Sequence, residues 1–372
     1  MDFVNATRMV AGYNMGIDPS GRESLVIVIK GSFALPKPGE QVRLLDEQLP
    51  LVMADTFTGE PGTSAPLHEI DFAPRKPRCD VLLNGSAYAP AGHTVTRTQV
   101  SLSVGTMHKT IDVIGPRIWQ AGRGGIQASN PQPFERQPVS YDVAFGGVDQ
   151  ASPDPAEHDA FLVNPVGRGF RKQLKAQWVD GQPLPLTEEP GKPVTAPDQA
   201  YTPMAFGPLG RGWAQRARLA GTYDQQWLDN DFPFLPQDFD ERYYQAAPAD
   251  QQIDIPGQAL EVRLVNLTPD GVRQFTLPYF EAPVHVFPKQ GPREDFIARL
   301  DTLHFEPDLD RFTMTWRVSR PLRKNMHEIA QVLIGRKGRE WWQQRDTVSF
   351  PIPVVMVPME RAPEAATQEG SA

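Results

Sequence analysis

Residues 94–114 read TVTRTQVSLSVGTMHKTIDVI and contain the strongest fold signal in the chain. Apolar and polar residues alternate through the first half of this stretch, a pattern typical of a strand with one buried and one solvated face. Gly105 and Thr106 then provide a turn, and residues 109–114 return as a second alternating run. The stretch therefore predicts an antiparallel β-hairpin.

Similar strand signals occur near both ends of the chain. Residues 24–29 (SLVIVI) and 79–83 (CDVLL) are short apolar runs, and residues 312–318 (FTMTWRV) alternate strictly. Apolar residues recur at helical spacing after residue 325, which predicts a helix at about 325–344. The stretch between these end regions is different, because it is rich in proline, glycine and charge and has few apolar runs.

The order of these signals predicts the fold class. Strands, then loops with short helices, then strands do not fit an alternating βαβ protein. We predict a mainly β protein with two antiparallel β-sandwich or barrel-like units at residues 1–150 and 256–358. A loop-rich region with short helices connects them at residues 151–255. One C-terminal helix, at about 325–344, lies in the second unit, and residues 359–372 form a flexible tail.

Charge and cysteine content exclude several classes of protein. The net charge of −8 disfavours nucleic acid as a partner, and no apolar run is long enough to predict a membrane span. A single cysteine, Cys79, cannot form an intrachain disulfide. Because the first residues do not resemble a secretory signal peptide, we expect a cytoplasmic protein.

The usual signatures of catalysis and cofactor binding are missing from the sequence. The seven histidines are far apart, and His327-Glu328 resembles the start of a zinc-protease motif whose second histidine is replaced by Gln331. No glycine-rich loop has the context of a nucleotide site, and no G-x-S-x-G pentapeptide occurs. The sequence predicts neither a metal nor a cofactor.

Acidic and aromatic residues are concentrated between residues 224 and 244. A glycan hydrolase could use acids of the Asp229–Asp240 region, with two carboxylates about 5–9.5 Å apart across a cleft. The same acids could instead cap short helices, since Asp238 and Glu241 have the spacing of a capping box. The sequence does not decide between these two hypotheses.

The overlapping stretch from Trp213 to Tyr243 is the predicted partner-binding region. Tryptophan, tyrosine and arginine are the residues that most often anchor protein–protein interfaces. The alternative is that the aromatic residues belong to the core. The predicted partner-binding residues are Trp213, Arg216, Tyr223, Trp227, Asp238 and Tyr243.

Several segments, in this order along the chain, resemble a known bacterial family. The segments are residues 25–33 (LVIVIKGSF), 80–88 (DVLLNGSAY), 104–119 (VGTMHKTIDVIGPRIW), 141–147 (YDVAFGG), 164–170 (NPVGRGF) and 235–243 (LPQDFDERY). Together they resemble domain of unknown function 2169, an accessory family of type VI secretion systems.

The resemblance implies a cytoplasmic adaptor or chaperone. Such a protein would bind a secreted effector with a PAAR-like region and help to load it onto the VgrG and PAAR proteins of the spike. The family has no agreed catalytic residues, so none is transferred to this chain. Two alternatives remain: the glycan hydrolase, and a structural component of the secretion apparatus.

Overall fold

The computed structural model describes residues 1–18, 20–90 and 93–348. Met1–Gly335 forms one compact unit, and a second unit, which begins at Arg336, contains the last helix. None of the helices in the described ranges combines the length and the hydrophobicity that a membrane span requires.

The fold is mainly β, as predicted. The strands in chain order are β1 (Asp2–Asn5), β2 (Val10–Ile17), β3 (Glu23–Ala34), β4 (Arg43–Leu44), β5 (Thr56–Phe57), β6 (Pro66–His68), β7 (Cys79–Leu83), β8 (Gly85–Tyr88), β9 (Arg97–Val104), β10 (Met107–Ile114), β11 (Trp119–Gly122), β12 (Gly125–Ala128), β13 (Arg136–Val139), β14 (Phe145–Gly146), β15 (Val148–Asp149), β16 (Asp159–Ala160), β17 (Arg168–Gly169), β18 (Thr187–Glu188), β19 (Gln252–Ile253), β20 (Leu260–Val265), β21 (Val272–Leu277), β22 (Ala282–Pro288), β23 (Glu294–Glu306), β24 (Arg311–Pro321) and β25 (Ile329–Ile334).

The helices are short, and the middle of the chain contains several of them, as predicted. The α-helices are α1 (Ala176–Val179), α2 (Ala214–Ala217), α3 (Gln225–Asn230) and α4 (Arg339–Val348). Single 3-10 turns occur at Tyr141–Val143, Pro155–Glu157, Glu241–Tyr244, Ala249–Gln251, Pro307–Leu309 and Met326–Glu328.

The larger sheet is nearly closed into a barrel. Its strand order is β1-β25-β22-β23-β24-β3-β2, with β4 paired to β3, β7 paired to β23, and β19 paired to β7. The central pair joins the two ends of the chain, because β3 runs antiparallel to β24 with Phe33 opposite Phe312. Formation of this sheet therefore requires contacts between residues that are nearly three hundred positions apart.

The smaller sheet contains the hairpin that the sequence predicted. Its strand order is β18-β10-β9-β20-β21. Strands β9 and β10 pair antiparallel with Val104 opposite Met107, and Gly105 in the turn has a φ of 57°. Glycine is well suited to that left-handed conformation because it has no Cβ. Strand β20, from the last third of the chain, pairs with β9 from the first third.

One apolar core lies between the inner faces of the two sheets. It contains residues from β3, β7 and β9 as well as residues from β20, β23 and β24. Fully buried members include Ile27, Leu102, Leu264, Phe305 and Phe312. Strands from residues 1–150 and from residues 256–335 thus bury a common core.

The C-terminal helix begins later in the chain than predicted. Residues 329–334, which the sequence analysis assigned to a helix, form β25 and pair with β1 and β22. The apolar residues in this run are buried because β25 lies inside the sheet, so its pattern reflects burial and not helical period. Gly335, with a φ of 84°, follows the strand, and α4 begins at Arg339.

Candidate partner-binding site

The outer face of the central strands is buried but polar, and it supports the candidate site. We call this set of side chains the charged layer. Its members are Lys30, Asp80, Asp301, His304, Glu306 and Arg317, each of which exposes less than a tenth of its surface. Residues 45–77 and 205–247, which contain few regular elements, contact it.

The charged layer satisfies the backbone groups of these irregular segments. Arg317 pairs with Asp301 at 2.7 Å and also donates to the carbonyl oxygens of Asp71 and Ala73. Asp80 accepts a hydrogen bond from the Ala246 amide. Irregular segments have few ladder partners, and a buried amide or carbonyl without a partner is costly. The buried charges therefore replace the hydrogen bonds that a sheet would have supplied.

A histidine pair joins this layer to the covering segment 45–77. The rings of His68 and His304 are 4.9 Å apart, and His304 Nε2 lies 2.7 Å from the Asn84 amide nitrogen. Burial lowers the pKa of His304 to about 3. Although burial acts to raise the pKa of Glu306, hydrogen bonds from His68 and Arg311 lower it to about 2. At neutral pH His304 is therefore uncharged and Glu306 is ionised.

Two of the predicted partner-binding residues are buried and cannot contact a partner in this conformation. Trp213 packs edge-on against Tyr141, and Arg216 lies 2.6 Å from Glu69 and donates to the carbonyl oxygens of Leu209 and Tyr243. Only 7% of Trp213 and 3% of Arg216 are exposed. For these residues the prediction is corrected: they are structural, and Trp213 belongs to a core cluster, as the alternative stated.

The chain leaves this buried region at Gly221. The glycine has a φ of 83°, and a Cβ at this position would lie 2.8 Å from Pro236. Asp238 then closes the base of the loop by accepting hydrogen bonds from the Thr222 amide at 2.9 Å and the Thr222 hydroxyl at 2.8 Å. Residues 222–238 therefore form a closed projection, and Asp238 is part of its base.

Exposed apolar side chains cover this projection. We call the group the aromatic knob, which consists of Tyr223, Trp227, Leu228, Phe232 and Phe234. The exposed fractions are 53% for Tyr223, 53% for Leu228, 63% for Phe232 and 44% for Phe234, whereas Trp227 is half-buried between its neighbours. The Trp227 ring contacts Tyr223 at 4.8 Å and Phe232 at 5.5 Å between centroids.

Hydrogen bonds and close packing hold the knob in place. The Asp224 carboxylate accepts the Trp227 amide at 2.9 Å and so caps α3, which is the usual role of aspartate at this position. The Trp227 indole N–H donates to the Phe234 carbonyl at 2.9 Å. A Cβ on Gly21, in the turn between β2 and β3, would lie 2.7 Å from the Phe234 ring. The knob therefore rests against the barrel.

The structure brings together some of the predicted site residues and adds others. Tyr223, Trp227 and Asp238 lie in the projection, and Tyr243 is half-buried at its edge. The predicted partner-binding residues did not include Leu228, Phe232 and Phe234. The available signal was the segment LDNDFPF at residues 228–234, where large apolar residues stand among acids without a strand pattern.

The acids of the hydrolase hypothesis are engaged in local hydrogen bonds. Asp224 and Asp238 accept the backbone amides described above, and Asp240 accepts the Arg242 amide at 2.9 Å. The Thr222 amide lowers the pKa of Asp238, and the Arg242 side chain lowers the pKa of Asp240. A general acid for glycoside hydrolysis needs a raised pKa, so these observations favour a role in capping.

The side chains that most often bind metal ions are dispersed in residues 1–18, 20–90 and 93–348. Within these ranges, no group of three or more histidine, cysteine, aspartate and glutamate side chains is arranged to hold a metal ion. The single cysteine, Cys79, is buried in β7, and burial raises its thiol pKa well above the usual value.

Comparison with protein families assigns the chain to a family. The model of DUF2169, described as an uncharacterized protein conserved in bacteria, matches residues 20–317, and the chain therefore belongs to this family. No curated protein and no solved structure matches the sequence. The matched range includes the charged layer and the aromatic knob.

Proposed function

We propose that this DUF2169 protein is a cytoplasmic adaptor of a type VI secretion system. It binds an effector that has a PAAR-like region and helps to load this effector onto the VgrG and PAAR proteins of the spike. The observation that carries the proposal is the aromatic knob, an exposed apolar surface held by a buried support.

The composition of the knob fits a protein-binding surface. Soluble proteins rarely expose contiguous apolar patches unless these bind something. Tryptophan and tyrosine are enriched among the residues that dominate binding energy, and large aromatic side chains bury much area with few rotatable bonds. Because Trp227 is already fixed by its neighbours, little side-chain entropy is lost when a partner covers it.

Acidic side chains form the rim of the knob. Asp229 bonds to Gln225, and Asp231 bonds to Gln237, so both carboxylates are held at the surface beside the aromatic residues. A polar rim around an apolar centre is the usual anatomy of an interface. We expect the complementary surface of the effector to be apolar at its centre and basic at its edge.

The two alternatives make different predictions. A glycan hydrolase needs a carboxylic acid with a raised pKa, which the capping roles of Asp224, Asp238 and Asp240 do not favour. A structural component of the secretion apparatus would be exported together with the spike. An adaptor would stay in the cell fraction.

The test is an affinity capture from the native host, read by mass spectrometry with an untagged control. The tagged baits are the wild-type protein, a knob variant (Tyr223→Ser with Leu228→Ser) and a control variant (Leu309→Ser). Leu309 is 59% exposed but lies outside the knob. We expect the wild type and the control to recover an effector or VgrG, and the knob variant to recover about tenfold less.

Two results would count against the proposal. If the wild-type bait recovers neither protein from cells that make the effector, the adaptor function is wrong. If the knob variant recovers as much partner as the control, the adaptor function stands but the knob is not the binding surface.

A further inference from the structure

A groove separate from the aromatic knob lies on the outer face of the barrel. It has a volume of about 350 Å³, which is within the usual range for small-ligand sites. Its lining includes apolar surface from Phe239, Tyr244, Ile297 of β23 and Ile17 at the end of β2. Ile17 is 44% exposed and Ile297 is 52% exposed, so apolar surface faces solvent inside a concave site.

The charges of the groove are almost all paired. Arg317 pairs with Asp301 at 2.7 Å, and Arg75 lies 3.3 Å from Glu241. The exception among the basic side chains is Arg299, an exposed residue of β23 that makes no ion pair with any described residue. It stands directly opposite Arg317 in the β23–β24 register, and like charges in that position repel.

The other unsatisfied polar groups of the groove are hydroxyls, which can donate. In the described part of the chain, the hydroxyls of Ser24, Tyr244 and Ser319 have no hydrogen-bond partner, and all three residues line the groove. Burial raises the pKa of Tyr244 to about 12, so its hydroxyl keeps its proton at neutral pH. Each carboxylate of the groove already has a partner. Asp18, for example, accepts a hydrogen bond from the Ser20 hydroxyl. The site therefore offers donors and an uncompensated positive charge.

We infer that this groove binds an extended segment of a partner protein in which an acidic residue is flanked by apolar residues. The carboxylate pairs with Arg299 and accepts hydrogen bonds from the nearby hydroxyls, and an apolar neighbour packs between Ile297 and Phe239. Charge complementarity selects this occupant, because a basic segment would place a second cation beside Arg299. That this segment belongs to the effector rests on the proposed function. The binding chemistry of the groove can be tested without the effector.

The experiment measures fluorescence anisotropy with three labelled synthetic peptides. They have the sequence Ser-Leu-X-Leu-Ser, where X is glutamate, glutamine or lysine. We expect the glutamate peptide to bind the wild-type protein about fivefold more tightly than the glutamine peptide, and the lysine peptide to bind most weakly. Arg299→Gln should remove this preference, and Arg299→Glu should reverse it in favour of the lysine peptide.

Two further variants separate the groove from general surface charge. Ile297→Asp should weaken binding of the glutamate peptide, because it places a carboxylate in the apolar lining of the groove. The matched control is Arg263→Gln, which removes an exposed arginine from β20 in the other sheet and should leave all three affinities unchanged. Thermal melts of each variant should match the wild type, since Arg299, Ile297 and Arg263 are exposed.

The inference is overturned if the three peptides bind equally, or if Arg299→Gln leaves their order unchanged. Self-association on gel filtration that is lost in Arg299→Glu would also overturn it, because a second copy would then be the occupant. If the three peptides bind with the expected order of affinity but affinity capture recovers no effector, the groove inference is supported and the adaptor function is wrong. If an effector is captured but the peptides do not discriminate, the adaptor function stands and the groove inference fails.

Discussion

The charged layer and the aromatic knob reverse the usual distribution of residues between the inside and the surface of a protein. In the layer, Lys30, Asp301 and Arg317 are almost completely buried. In the knob, Tyr223 and Phe232 are more than half exposed. Burying charge and exposing large aromatic groups both cost free energy, so each arrangement calls for a physical reason.

The two regions differ in what their side chains contact. The charged layer contacts the protein itself, because its side chains bond to backbone groups of the irregular segments that cover the barrel. The knob contacts mainly its own members and the turn at Gly21. The layer therefore fixes the covering segments, whereas most of the apolar surface of the knob remains exposed.

The largest expected effect is on the charged layer. Arg317→Met should lower the free energy of unfolding by about 3–5 kcal/mol, because it leaves Asp301 buried without its partner. The matched control is Arg299→Met, which removes the exposed arginine opposite in the register and should change stability by less than about 0.5 kcal/mol. Urea unfolding of both variants measures the difference. If the two variants have the same free energy of unfolding, burial of the Arg317–Asp301 pair does not determine the cost of losing the arginine.

Acid should lower the stability of the protein through the charged layer. The pKa of His304 is about 3 in the folded protein and near 6.5 when unfolded, so the unfolded state binds more protons below pH 6.5. Stability is therefore complete above pH 6.5 and is lost as the pH falls, by roughly 2 kcal/mol at pH 5. Glu306, with a pKa of about 2 against 4.5 unfolded, adds a further loss below pH 4.5.

The measurement is urea unfolding at pH 7, 6 and 5 for the wild type and for His304→Asn. The variant should lose less stability than the wild type over this range, because the residue that takes up the proton is gone. His327→Asn, at an exposed histidine, should behave as the wild type does. Identical pH profiles for all three proteins would contradict the assignment to His304.

A smaller effect is expected within the knob. Trp227→Phe keeps an aromatic ring but loses the N–H that donates to the Phe234 carbonyl. At this half-exposed position, the free energy of unfolding should fall by only about 0.5–1 kcal/mol. The knob would be less ordered, so the amount of effector captured should fall clearly although the free energy of unfolding changes little. A loss of several kcal/mol would instead place Trp227 in the core.

The sequence predicted the positions of the strands better than it predicted which strands pair with each other. The β9–β10 hairpin could be predicted because its signals are local and its turn has a glycine where a positive φ is required. The pairing of β3 with β24 could not, since alternation identifies a strand but not its neighbour. Alternation in β24 also suggested one wet face, yet Thr313 and Arg317 on that face are buried under residues that have no regular pattern.

The site was only partly predictable for a related reason. Trp213 and Trp227 are fourteen residues apart in the sequence, and both were predicted to bind a partner. Burial separates them, because Trp213 faces Tyr141 across a long-range contact whereas Trp227 contacts residues within its own loop. Nothing in the sequence marks Arg299 as a groove residue, because the absence of an ion-pair partner is a property of the folded chain.

The most direct test of the adaptor account is hydrogen exchange of the protein alone and in complex with the captured effector. We expect slower amide exchange across residues 222–234 in the complex, with little change in residues 45–77, which the charged layer already fixes. Unchanged exchange in residues 222–234, with protection elsewhere on the surface, would contradict the claim that the aromatic knob holds the effector.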